Sequence, residues 1–123
     1  MVIKIDLEKA YDKLDWSFIK EVLVAANFSP NLIQLIMSYV STVSTSILFN
    51  GGVLNPFLPF GGIQQGDSLS PYLFILCMEV LGRIIDAKCF NNLLNPVKAS
   101  ASRWAFSHLF FADDSFFLQR LIL

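Results

Sequence analysis

The sequence predicts an α+β fold, with antiparallel strands towards both ends and helices between them. Three observations carry that expectation. Residues 2–5 alternate apolar and basic side chains up to Asp6, which is strand periodicity. Two later stretches repeat apolar residues at helical spacing, and a third starts at Ser70-Pro71. Near the other end, aromatic-rich residues 103–118 are interrupted by Asp113-Asp114, as in a hairpin.

The first strand ends by presenting the Asp6 carboxylate. Residues 16–27 follow as a helix, with Asp15 as N-cap and Phe18, Ile19, Val22, Leu23 and Ala26 on one face. Ser29 then offers a cap and Pro30 a first-turn residue, and Leu32, Ile33, Ile36, Met37 and Val40 form the second stripe. Asn50-Gly51-Gly52 separates residues 46–49 from 53–60 and predicts a hairpin, which Pro56 and Pro59 keep irregular. Gly61-Gly62 reads as a loop. Leu73, Phe74, Cys77, Leu81, Ile84 and Ile85 then predict a long, mostly buried third helix. Residues 89–102 form a turn-rich connection to a strand over 103–112 and another over 115–118. Between those strands, Asp113-Asp114 predicts a tight turn that lifts two carboxylates to its tip.

A chain of 123 residues has room for one domain and one site. It is 54% hydrophobic and 15% charged, with a mean hydropathy of +0.57, more apolar than small soluble domains usually are. A membrane helix needs roughly 20 largely apolar residues, whereas the best run, 72–78, is stopped by Glu79 and Arg83. The excess therefore predicts apolar faces that pack on parts of a larger protein. The opening MVIKID has no signal-peptide pattern, so secretion is not expected. Cys77, Cys89 and the single His108 make neither a disulfide framework nor a four-ligand zinc site. The cysteines and His108 read as packing residues. A net charge of -1 argues against autonomous nucleic-acid binding, which draws on Lys and Arg at phosphates.

Three strings stand apart: KIDLEKAYD at 4–12, GGIQQGDSLSPYLF at 61–74 and FFADDSFF at 110–117. Singly, each fits a strand end, a loop before a capped helix, or a turn. Jointly and in this order they resemble motifs A, B and C of the reverse-transcriptase palm. The flavour is that of LINE-type (non-LTR) retrotransposons of plants, with SILFNG, QGDSLSPYLF and SHLFFADD in sequence. The resemblance covers nearly the whole chain. It implies a polymerase palm, an RRM-like antiparallel sheet backed by helices on one face, with the fingers and thumb missing. It also implies one partial reverse-transcriptase domain over 1–123.

The activity it implies is RNA-directed DNA polymerisation, in which dNTPs are added to a primer 3′-hydroxyl. Nucleotidyl transfer on two divalent ions needs carboxylates from separate strands, converging on metals about 3.5–4 Å apart. The resemblance assigns Asp6 and Asp113 as the paired catalytic ligands and Asp114 as the third, outer carboxylate. Mg²⁺ is the implied metal, with Mn²⁺ as substitute, because the donors are hard oxygens. Three carboxylates crowded together repel one another, so metal binding relieves the site of its own charge. The backbone of Leu7 belongs to the metal and triphosphate region. The resemblance also places Glu8 beside the triphosphate and Tyr11 under the sugar, as a steric gate against the ribose 2′-hydroxyl. By the same resemblance Gln65 is expected near the nucleotide, and Gly66 is expected to allow close backbone approach. Ser70 and Pro71 complete the motif B match.

This chain departs from the family pattern at Gly61 and Gln64, where Arg is common, and at Ser68, where Pro is common. The missing arginines remove positive charge next to phosphates. RNA template, DNA primer, dNTPs and the remainder of a retrotransposon polyprotein are the implied partners, and no activity is expected of the chain alone. Two other readings compete. One is a decayed retrotransposon remnant with no catalytic role. The other is the palm of an RNA-dependent RNA polymerase, with Asp12 accepting the ribose hydroxyl; Phe111-Ala112 before the acidic pair and Tyr11 at the gate favour a DNA product.

Overall fold

Strand β1, Val2–Asp6, ends where its alternating pattern ends. In the computed structural model, which describes residues 1–42, 44, 46–98, 104–112 and 114–120, the chain divides into two compact units. Met1–Glu8 and Ile75–Leu123 make one, and Lys9–Phe74 the other.

The first unit is built on a three-stranded antiparallel sheet. It joins β1 to two late strands that lie side by side, one over His108–Phe111 and one over Asp114–Leu118, and the Asp114–Leu118 strand is central. Ile3 and Ile5 pair with Phe117 and Ser115, which pair in turn with His108 and Phe110. Since side chains alternate along a strand, these six share one face. That face packs on the helix Ser70–Phe90. A Cβ at Gly82 would lie 3.1 Å from His108 Nε2 and 3.4 Å from the Phe110 ring, so helix and strand approach closely at the glycine and a larger residue would make these side chains give way. Ile85 from the same helix shares a cavity of about 270 Å³ with Ile3, Ile5 and Phe117. Ser115 is 1% exposed among these groups.

This long helix runs on to Phe90 because residues 86–90 contain no Pro or Gly. It was expected to be mostly buried, and it is not. Leu73, Phe74, Cys77 and Ile85 are buried, while Tyr72, Ile75 and Ile84 are exposed. Burial pushes the Cys77 thiol up to about 11. The expected turn-rich connection contains a short strand, Val97–Lys98, paired with Ala105–Phe106. The single strand expected over 103–112 is broken at Ser107, and its first residue lies outside the described residues. In chain order, the three early strands are β1, Leu48–Phe49 (β2) and Gly52–Val53 (β3), and the four late ones are β4 (Val97–Lys98), β5 (Ala105–Phe106), β6 (His108–Phe111) and β7 (Asp114–Leu118).

In the second unit, helix α1, Trp16–Ala25, is capped by Asp15, whose carboxylate accepts from the amides of Ser17 and Phe18 and from the Ser17 hydroxyl. It stops short of the expected residue 27. Asn27 has φ +61° and the Phe28 amide turns back to the Leu23 carbonyl, a left-handed helix end. Helix α2, Pro30–Ser41, follows Ser29, whose hydroxyl accepts from the Leu32 amide. Ile19, Val22 and Leu23 of α1 and Ile33, Ile36 and Val40 of α2 are buried. Asn50 and Gly51, both at positive φ, turn β2 into β3, as a two-residue type I′ hairpin requires. The strands are shorter than the expected 46–49 and 53–60, and Gly52 belongs to β3 rather than to the turn. The long helix becomes α3. Among the described residues, no helix is long and apolar enough to cross a membrane.

Candidate active site

Asp6 closes β1 and Asp114 opens β7, and the two are direct cross-strand partners. Directly opposed residues hold their Cβ atoms about 4.5–5.5 Å apart on one face. This is the face away from α3. It also carries Val2, Lys4, Phe116 and Leu118, and from β6 Leu109 and Phe111. Val2, Leu109 and Phe111 are exposed, so the carboxylates sit on an open, largely apolar surface.

The expected Asp113-Asp114 turn does not include Asp114. Phe111 pairs with Asp114 and Ala112 takes φ +52°. Asp114 is therefore a strand residue facing Asp6, not part of a hairpin tip. The other expected ligand, Asp113, lies outside the described residues. Among the described residues, no three His, Cys, Asp or Glu side chains gather as a metal-holding group. Opposed like charges are unfavourable, and here a cation offsets them. Lys4 Nζ lies 3.1 Å from Asp114 Oδ1 and 5.7 Å from the centroid of the Phe116 ring. Two exposed or half-exposed carboxylates on one sheet face are hard-oxygen donors that suit Mg²⁺ or Mn²⁺. Leu7 is half-buried just beyond β1 and Glu8 is exposed.

Tyr11, Gln65 and Gly66 belong to the second unit. The Tyr11 ring is half-buried and stacks on Phe74, with centroids 4.9 Å apart and planes 14° from parallel. Segment 61–63 is stitched to segment 11–16. The Gly62 amide donates to the Leu14 carbonyl at 2.7 Å, the Ile63 amide to the Tyr11 carbonyl at 2.9 Å, and the Trp16 indole to the Gly62 carbonyl at 2.7 Å. The result is a cavity of about 540 Å³ whose wall includes Asp12, Gly61, Gln64 and Gln65. Gly66 has φ +83° and open space where a Cβ would stand. Beside it, Asp67 accepts from the Tyr39 hydroxyl at 2.8 Å, and that bond holds the Tyr39 phenol above its usual range.

Sequence reasoning gave no role at the site to Lys4, Phe74 or Gly62, although all three stand in the motif strings. Lys4 was discoverable, because it stands two positions before Asp6 on a strand and so shares its face. Phe74 and Gly62 act through tertiary partners that no local pattern names.

A helix-backed antiparallel sheet with acidic residues on its open face is the palm arrangement of polymerases. Residues 1–120 match the reverse transcriptase (RNA-dependent DNA polymerase) family, and the chain belongs to that family. It is 40% identical over 68 residues to an uncharacterized mitochondrial protein of Arabidopsis thaliana, covering 55% of this chain and 56% of that one. It is 28% identical over 121 residues to the retrovirus-related Pol polyprotein of a type-2 retrotransposable element of Drosophila melanogaster, covering 98% of this chain and 11% of the polyprotein. It is also 29% identical over 118 residues to the Pol polyprotein of a type-1 retrotransposable element of Popillia japonica, covering 96% and 18%. The chain thus spans about half of the first relative and under a fifth of each polyprotein. The family makes DNA on RNA, which sets aside the RNA-product alternative. Reverse transcriptases work with divalent metal ions.

Proposed function

We propose that this chain is the palm core of an RNA-directed DNA polymerase and forms part of a longer retrotransposon Pol polyprotein. The observation that carries the reading is the pairing of Asp6 with Asp114 on the open sheet face, in a chain matched to the family over residues 1–120. Asp6 and Asp114, with Asp113, supply the oxygens for two Mg²⁺ ions. When bound, such ions lower the pKa of an attacking hydroxyl and stabilise the leaving group. The reaction joins the primer 3′-oxygen to the α-phosphorus of a dNTP and releases pyrophosphate. Leu7 contributes its backbone beside the metal. By family resemblance Glu8 contacts the nucleotide, and so do Tyr11, Gln65 and Gly66, with Tyr11 as the aromatic wall against a 2′-hydroxyl and Gly66 giving the backbone room to approach. RNA template and DNA primer are the macromolecular partners.

One observation also favours the reading of a decayed copy. Among the described residues lining the cavity that holds Gly61 and Gln64, none is Lys or Arg, so a phosphate there meets no cationic side chain from that part of the wall.

Mn²⁺ titration followed by electron paramagnetic resonance, run beside Mg²⁺-dependent primer extension on an RNA template, tests the proposal. The chain should bind Mn²⁺, and Asp6→Asn should weaken that binding at least roughly tenfold. Extension by the chain alone should give no product. Mn²⁺ affinity unchanged in both Asp6→Asn and Asp114→Asn would remove the metal site.

A further inference from the structure

We infer that Lys4 is a positioning residue that competes with a divalent cation for Asp114 and leaves Asp6 the less encumbered ligand. The inference rests on the metal-site reading above and concerns a residue that reading does not use. Lys4 and Asp6 share a face by strand alternation. Lys4 pairs with Phe116 and Asp6 with Asp114, so Lys4 lies diagonal to Asp114, within reach of a long side chain. Its ammonium uses that reach: Nζ is 3.1 Å from Asp114 Oδ1, and it lies 5.7 Å from the centre of the Phe116 ring. The ring and the carboxylate, both on β7, together fix where the charge sits.

Among the described strand residues of this face, Val2, Leu109, Phe111, Phe116 and Leu118 are apolar, Asp6 and Asp114 are acidic, and Lys4 alone is cationic. Without Lys4, opposed carboxylates would repel each other across the β1–β7 pair. With it, one oxygen of Asp114 already has a partner, whereas Asp6 has no ion pair among the described residues. A metal ion arriving at this face finds Asp6 free and must displace an ammonium to use Asp114 Oδ1. The two carboxylates therefore differ as ligands because of a third residue, in addition to the greater exposure of Asp6.

An ordinary surface ion pair, by contrast, contributes little and would leave metal binding untouched. A cycle of Lys4→Met, Lys4→Arg, Asp114→Asn and Lys4→Met/Asp114→Asn separates the cases, with Mn²⁺ affinity read by electron paramagnetic resonance and folding checked by circular dichroism. Met keeps an apolar stem over Phe116 and removes the charge. Lys4→Met should tighten Mn²⁺ binding roughly fivefold, the factor one pair of exposed unit charges about 4 Å apart supplies in water. Lys4→Arg should bind like the parent, and the gain should vanish in the Asp114→Asn background. A gain that persists in that background, or no gain at all while binding still depends on Asp6, overturns the role of Lys4 and leaves the metal site standing. Mn²⁺ binding indifferent to Asp6 in every variant overturns both.

Discussion

Gly62 and Gly66 stand in one loop with similar backbone angles, φ +84° and +83°, yet their surroundings differ. A Cβ at Gly62 would lie 2.8 Å from the Asp12 carbonyl oxygen, which is backbone and cannot swing away, whereas Gly66 faces open space. Gly66→Ala should therefore cost only the left-handed strain, about 1–2 kcal/mol. Gly62→Ala should add a clash and reach about 3 kcal/mol. Urea unfolding of the two variants measures the difference, and equal losses would mean that segments 61–63 and 11–14 do not approach as described. At this scale the residue types were readable in advance. Asp6, Tyr11, Gln65 and Gly66 are visible as letters, but the carbonyl that makes Gly62 irreplaceable is not.

Among the elements, α1 shows most directly how local chemistry becomes stability. The Ser17 hydroxyl, and then the amides of Ser17 and Phe18, hold the Asp15 carboxyl below the usual carboxylate range. A lowered folded-state pKa means that the cap stabilises above the unfolded value of about 3.9, and that this contribution is lost as pH falls towards the folded value. Asp15→Asn keeps a capping oxygen without that proton equilibrium. The excess melting temperature of the parent over the variant should accordingly shrink between about pH 6 and pH 3. A constant gap across that range would show that the charge of Asp15 has no part in the cap. Helix starts were legible because Asp15, Ser29 and Pro30 act on neighbours in sequence. Strand breaks were not, since β5 and β6 part at Ser107 under pairing with different partners, β4 and β7.

Taken whole, the chain leaves much apolar surface uncovered. Phe60, Phe90, Trp104 and Phe111 are between 74% and 103% exposed. In a longer polyprotein, as proposed, neighbouring segments would cover them. By itself the chain should self-associate at roughly tens of micromolar. Sedimentation velocity should show an average mass that grows with concentration. A monomer throughout would mean that the exposed faces need no partner. The apolar excess was evident from composition, but which faces carry it depended on the fold. Half of α3 is exposed where its sequence reads as buried, because its apolar residues go nearly all the way round while the sheet covers one side.

From the sequence alone came the α+β class, the helix caps, the order of the three motifs and the family they belong to, because each depends on residues a few positions apart or on their order along the chain. Only the tertiary structure decided that Asp114 is a strand residue opposite Asp6, that Lys4 holds it, and that one face of the sheet stays open. Those facts turn on the β1–β7 register, which joins residues more than a hundred positions apart. A slip of one residue would send every side chain to the opposite face, and no local pattern records which register the packed sheet adopts.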